Sequence, residues 1–161
     1  MVIYKKMSLF DAPEGSFLVH AANAQGNWGS GIAAQIKELY PSQYEHYQQW
    51  AHSLGYSVFK STTKDKHCIV NLITSDGESN NPDPQADILI NTTLAINDFL
   101  NVLDESDNPY LRFIRTPYII YSNKFNSGLF NVPWEQTERI LNILTKRYNV
   151  TWVVCDPNMK E

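Results

Sequence analysis

The sequence predicts an α/β fold in three layers, with helices on both faces of a mixed, mostly parallel sheet of about six strands. Three observations carry that expectation. Apolar runs of strand length alternate with amphipathic segments along the chain. Two of those runs end in polar loops containing glycine, and each loop is followed by a helical pattern. The run HCIVNLIT at 67–74 is apolar almost without interruption, as a strand covered on both faces requires. No internal repeat or linker divides the 161 residues, so one domain over 1–161 is expected.

Residues 2–6, VIYKK, read as the first strand, and SLFDAP at 8–13 as its exit, with Pro13 as a breaker. Phe17, Leu18 and Val19 form a short buried-strand run that ends in His20-Ala-Ala-Asn23, and Gly26, Gly29 and Gly31 punctuate the loop that follows. A helix begins near Ile32, with Ile36 and Leu39 at helical spacing up to Tyr40. Pro41 opens a second helix over about 42–53, where Tyr44, Tyr47 and Trp50 read as packing aromatics rather than a stacking platform. His46 and His52 are six apart, which does not align them on one helical face as a metal pair requires, so both read as surface residues.

Strands follow at 56–60 and 67–74, and Thr74-Ser75-Asp76-Gly77 opens a polar loop to about 86, either a lid or a plain connection. Asp87 is expected to cap a long helix whose face carries Leu89, Thr92, Ile96, Phe99 and Leu103. After an acidic connection at 104–108, YIIYSN at 118–123 forms the next strand and delivers Asn126-Ser127-Gly128. Pro133 sits in the first turn of a helix that turns Trp134, Ile140, Leu141 and Leu144 inward, and VTWVVC at 150–155 is the last strand.

Composition excludes several classes. With 43% hydrophobic and 12% aromatic residues the chain has material for a continuous core. A net charge of −4 and a pI near 5.5 argue against a nucleic-acid surface, which needs clustered Lys and Arg. No apolar run approaches the length of a membrane span, and MVIYKKMSLF lacks a signal-peptide pattern, so cytoplasmic residence is the expectation. Cys68 and Cys155 form no CxxC and sit in strand-like runs, which reads as two buried reduced thiols.

The most informative stretch is 17–37, FLVHAANAQGNWGSGIAAQIK: strand, glycine-rich loop, helix. Glycines leave backbone N–H groups uncovered, and the helix directs its positive end at the loop, which suits a phosphate. The loop is neither a Walker A sequence nor GxGxxG. Ligands of such sheets bind outside the carboxyl ends of the strands, where both glycine-containing loops fall. Trp28 either walls this site or is partly exposed.

The stretch VHAANAQGNWGSGIA resembles the distal-ribose loop of macro domains, with His20 in place of the first Asn of Asn-Ala-Ala-Asn. KFNSGLFNVPWEQTERIL at 124–141 resembles the second phosphate loop and following helix of the same family, in wording similar to its ADP-ribose 1''-phosphate phosphatase branch. The resemblance runs from near Tyr4 to near Cys155. It implies ADP-ribose or its 1''-phosphate as ligand, no cofactor, no metal and a monomer. It places adenine near Ser8, Leu9 and the end of the last strand, and Met7-Ser8-Leu9 stands in place of a Gly-Asp-Ile-like turn. The diphosphate would lie between the backbone amides of Ser30, Gly31 and Ile32 and those of Ser127, Gly128, Leu129 and Phe130, and the distal ribose at Asn23 against Phe130. Ala22, Trp28, Gly29, Thr74 and Asn126 complete the implied binding set.

His20 and Asn23 are the implied catalytic pair, His20 as acid or base and Asn23 as positioner. A histidine at a strand end is also a common structural group, and that reading stays open. A lysine-adduct mechanism is not expected, since Ser75 or Asp76 and Phe130 stand where the related glutamate-specific branch has lysine and aspartate. Two classes remain: a metal-independent hydrolase of ADP-ribose 1''-phosphate, and a module that binds ADP-ribose without turning it over. De-ADP-ribosylation of proteins is a more distant third.

Overall fold

The computed structural model describes residues 1–28, 31–59, 65–77, 81–104, 119–128 and 130–160, with the side chains of 57–59 excepted. Six strands, β1 (Val2–Lys5), β2 (Phe17–Asn23), β3 (Gly55–Phe59), β4 (Cys68–Ser75), β5 (Ile119–Ser122) and β6 (Thr151–Cys155), form one sheet in the order β1-β6-β5-β2-β4-β3. Every pairing is parallel except β3 against β4. Four helices are described: α1 (Gly31–Leu39), α2 (Pro41–Trp50), α3 (Gln85–Asp104) and α4 (Trp134–Tyr148), with a 3-10 turn at Leu9–Asp11. The sheet is mixed and mostly parallel, as the sequence implies.

Alternation along β2 and β4 builds the two cores. Leu18 and Ala22 of β2, with Ile69 and Ile73 of β4, pack with Ile36 of α1 and Tyr44 and Tyr47 of α2. Phe17 and Val19, with Val70 and Leu72, face the other way and meet Ile96, Phe99 and Leu100 of α3 and Leu141 and Leu144 of α4. Each fully buried side chain of this size contributes about 1.5–3 kcal/mol, so neither helical layer is dispensable. β2, the hinge of the sheet order, is covered on both faces and is buried along nearly its whole length.

Several local expectations change in three dimensions. The second helix ends at Trp50, and that indole is 71% exposed, while Leu39 at the end of α1 is 53% exposed. Only Ile36 of α1 is fully buried, because the short helix rests on the sheet through its middle turn. Asp87 lies inside the first turn of α3, which starts two residues earlier, and so complements the helix dipole rather than capping it. Pro133 is the N-cap of α4, one residue before its first turn. Cys68 and Cys155 form no disulfide; Cys155 is buried, as expected, and burial pushes its thiol up to about 11, whereas Cys68, at the start of β4, is only half-buried. His52 is exposed, and His46 half-buried. The expected contributions of Gly29, Ser30, Leu129, Lys60 and Tyr118, the turn at 61–64 and most of the acidic connection lie outside the described residues.

Candidate active site

A cleft opens at the carboxyl ends of the neighbouring strands β2 and β5, whose following helices, α1 and α4, pack on opposite faces of the sheet. Three segments line it. The end of β2 and its loop supply Ala21, Ala22, Asn23, Asn27 and Trp28; the start of α1 supplies Gly31, Ile32 and Ala33; the loop after β5 supplies Asn123 to Asn126, Gly128 and Phe130. Its volume is ≈ 160 Å³. That is smaller than the several hundred Å³ typical of a whole ligand site, so a dinucleotide-sized ligand would extend along the open part of the groove.

Asn23 organises the first loop. Its Oδ1 accepts from the amide of Gln25 at 2.9 Å, its Nδ2 donates to the carbonyl of Asn27 at 2.9 Å, and the Tyr47 hydroxyl lies 3.1 Å from Oδ1 while donating to the Asn23 carbonyl. This is an Asx turn clamped from α2. One Nδ2–H stays uncommitted, so Asn23 brings a single amide donor to the cleft rather than a donor and an acceptor. Gly31 opens α1 with φ +62°, a conformation that glycine adopts without a Cβ penalty, and leaves the first amides of the helix at the cleft wall.

The second loop is fixed from behind. Asn126 has φ +66° and is 3% exposed. Its Oδ1 accepts from Thr74 Oγ1 at 3.0 Å, its Nδ2 donates to Thr92 Oγ1 at 2.8 Å, and its carbonyl accepts from the amide of Val132 at 2.8 Å. Thr74 is therefore a support under Asn126, fully buried and away from the cleft wall, where the resemblance implied a binding residue. Phe130 lines the cleft and packs with Ile88 and Val132.

Trp28 is 1% exposed and forms a wall, stacked on Tyr47 with ring centroids 4.8 Å apart. His20 stands behind it, edge-on at 5.0 Å. His20 is fully buried within β2, and Nε2 donates to Oδ1 of Asn71, its register partner on β4, at 2.7 Å. Nδ1 has no partner. Burial lowers the imidazole pKa to about 4, only partly opposed by the Asn71 hydrogen bond. At neutral pH the ring is uncharged, with Nε2 protonated and Nδ1 bare. Its side chain is not on the cleft surface.

Ser8 and Leu9 fall elsewhere. The Ser8 hydroxyl caps the 3-10 turn by accepting from the amide of Phe10, and Leu9 is a 3% exposed core residue, so neither side chain lines the cleft. Sequence reasoning passed over Ala21, Asn27, Ala33, Asn123, Lys124 and Phe125, all of which line it. The signal for 123–125 was their position just after the carboxyl end of a strand. Among the described residues, no group of three or more His, Cys, Asp and Glu side chains is placed to hold a metal ion, and no helix is long and apolar enough to cross a membrane.

A mixed, mostly parallel open sheet with a cleft at the carboxyl ends of its central strands, lined by two polar loops and a helix N-terminus, is an α/β architecture suited to receive an anionic ligand. Residues 19–141 match the family model of the Macro domain, and the chain belongs to that family. It is 34% identical to an ADP-ribose 1''-phosphate phosphatase of Candida albicans, across 88% of this chain and 92% of that protein. It is 30% identical to one of Aspergillus fumigatus, across 83% and 84% of the two chains. Among solved structures, the macrodomain of Mycobacterium tuberculosis DarG superposes with a TM-score of 0.74 at 22% identity, over 98% of this chain and 99% of that one.

Proposed function

We propose that the protein binds ADP-ribose and hydrolyses ADP-ribose 1''-phosphate to ADP-ribose and inorganic phosphate without a metal ion. The observation that carries this is the cleft between the Asn23 loop and the Asn126 loop, with the amide-bearing start of α1 in its wall and no carboxylate among its described lining residues. Such a lining receives anionic phosphates without charge repulsion. The fungal relatives carry that activity in their names.

In this reading the amides of Gly31 and Ile32 and those of Ser127, Gly128 and Phe130 hold the diphosphate, and the free amide hydrogen of Asn23 positions the distal ribose. His20 takes the base role. A ring with a pKa near 4 carries no proton to give at neutral pH, whereas its bare Nδ1 accepts one. Trp28 then has to move aside for the ring to meet water at the reacting end. We also place the protein in the cytoplasm, where the lack of a disulfide at Cys68 and Cys155 fits a reducing compartment, and read it as a monomer.

Purified protein given ADP-ribose 1''-phosphate, with release of inorganic phosphate followed beside calorimetric titration of ADP-ribose, tests the proposal. His20→Ala is expected to lower turnover by about 100- to 10,000-fold at equal folded fraction, with ADP-ribose affinity little changed. Wild-type turnover in that variant removes His20 from catalysis. The enclosure of His20 favours a second reading, a module that sequesters ADP-ribose, and ADP-ribose binding without phosphate release would establish it.

A further inference from the structure

The end of β5 carries two features that the amide-lined loops leave unused. Lys124 is the one charged side chain among the described residues lining the cleft. Its ammonium lies 3.2 Å from Oδ2 of Asp156, the residue that follows β6. Asp156 is held by the backbone: its amide donates to the Lys5 carbonyl at 2.9 Å, and Oδ1 accepts from the amide of Asn158 at 2.9 Å. With the two side chains 42% and 21% exposed, water screens the bridge, and it adds little to stability. It acts as a tether that fixes where the cation sits. A lysine has three N–H donors, so an anion can be bound at the same time as Asp156.

Asn123 lines the same stretch of cleft. Its Oδ1 is buried with no hydrogen-bond partner, an arrangement that folded proteins rarely leave unanswered. The backbone beneath it is locked, since Ser122 Oγ donates to the Asn123 carbonyl at 2.8 Å and accepts from the Trp152 indole N–H at 2.8 Å. A cation and a bare acceptor therefore stand side by side at the β5 end, on rigid backbone, in a chain whose net charge is −4.

We propose that Asn123 and Lys124 are ligand-binding residues, Lys124 pairing with the diphosphate of a nucleotide-sugar and Asn123 Oδ1 accepting from a hydroxyl of the ribose joined to it. This rests on the nucleotide-sugar reading of the cleft given above, and it adds the groups that supply net charge and sugar discrimination. Backbone amides orient a phosphate at fixed distance, but only a full charge draws it in from solution, in a way that salt weakens.

Calorimetry with ADP-ribose and with inorganic diphosphate, at low and high ionic strength, tests both assignments on variants matched for folded fraction. Lys124→Met is expected to weaken both ligands by about three- to tenfold and to flatten the salt dependence. Asn123→Ala is expected to weaken ADP-ribose by a similar factor and to leave diphosphate, which has no hydroxyl, unchanged. Asp156→Asn releases the tether and keeps diphosphate binding at least as tight. Equal diphosphate affinity in wild type and Lys124→Met overturns the Lys124 assignment. An equal loss of both ligands in Asn123→Ala marks that residue as structural and overturns its contact. Wild type that binds diphosphate but not ADP-ribose refutes the nucleotide-sugar reading and the Asn123 contact, while Lys124→Met still decides the role of Lys124. Wild type that binds neither overturns everything.

Discussion

The enclosure of His20 makes its imidazole a large contributor to the acid sensitivity of this protein. The unfolded chain takes up a proton on His20 as the pH falls below the ordinary 6.5, whereas the folded state resists until about 4. Between those values the unfolded state binds more protons, so stability falls as the pH falls, and above 6.5 the group has no effect. Integrating the difference at pH 4.5 gives a loss of about 2–3 kcal/mol relative to pH 7. His67 and His46 are also lowered by burial and add to the slope, so wild type must be set against His20→Gln, which keeps an N–H for Asn71 Oδ1.

Urea unfolding at pH 7 and pH 4.5, followed by fluorescence of the buried Trp28 and Trp152, measures the difference. The wild-type midpoint should drop by about 1–2 M more than that of the variant. Parallel losses, within about 0.5 kcal/mol, would refute the enclosure, because a ring reached by water titrates alike in both states. That outcome would also return the proton-donor role to His20, since its neutrality at pH 7 follows from the same burial.

Other expectations follow from the hydrogen-bond pattern of the cleft. Asn23→Ala should weaken ADP-ribose binding by about 1–3 kcal/mol, and an unchanged dissociation constant would take Asn23 out of the site. Thr74→Val keeps the shape but strips the donor from Asn126 Oδ1, and urea titration should show a loss of about 1–3 kcal/mol; a neutral result would mean that Asn126 finds another partner. Ribose 5-phosphate should bind far more weakly than ADP-ribose, because it engages only one of the two loops; equal affinities by calorimetry would defeat the diphosphate cleft. Phosphate release and ADP-ribose binding should be indifferent to EDTA, and activity lost to the chelator and restored by magnesium or zinc would contradict a metal-independent reaction.

What the sequence determined by itself was the order of elements and the loops that line the cleft. Strand, loop and helix over 17–37 are legible because glycine, asparagine and the two hydrophobic periods act locally, through backbone conformation and amphipathicity. The mostly parallel sheet and its loop-lined cleft follow from that order. Which side chains stay available to a ligand was decided only in the folded chain, since it depends on partners far away in sequence. His20 is closed off because Asn71, 51 residues later, falls opposite it on β4 while Trp28 folds back across its edge. Asn23 spends most of its amide on Asn27, Gln25 and Tyr47, and Thr74 lies under Asn126 because β4 runs beside α3 and the β5 loop. Leu39 and Trp50 look like core by period and face water because α1 and α2 are short and meet the sheet through a single face. Local sequence states which groups a loop can offer. Long-range packing states which of them are already taken, because a hydrogen-bond donor or acceptor satisfied inside the fold has little left to give a ligand.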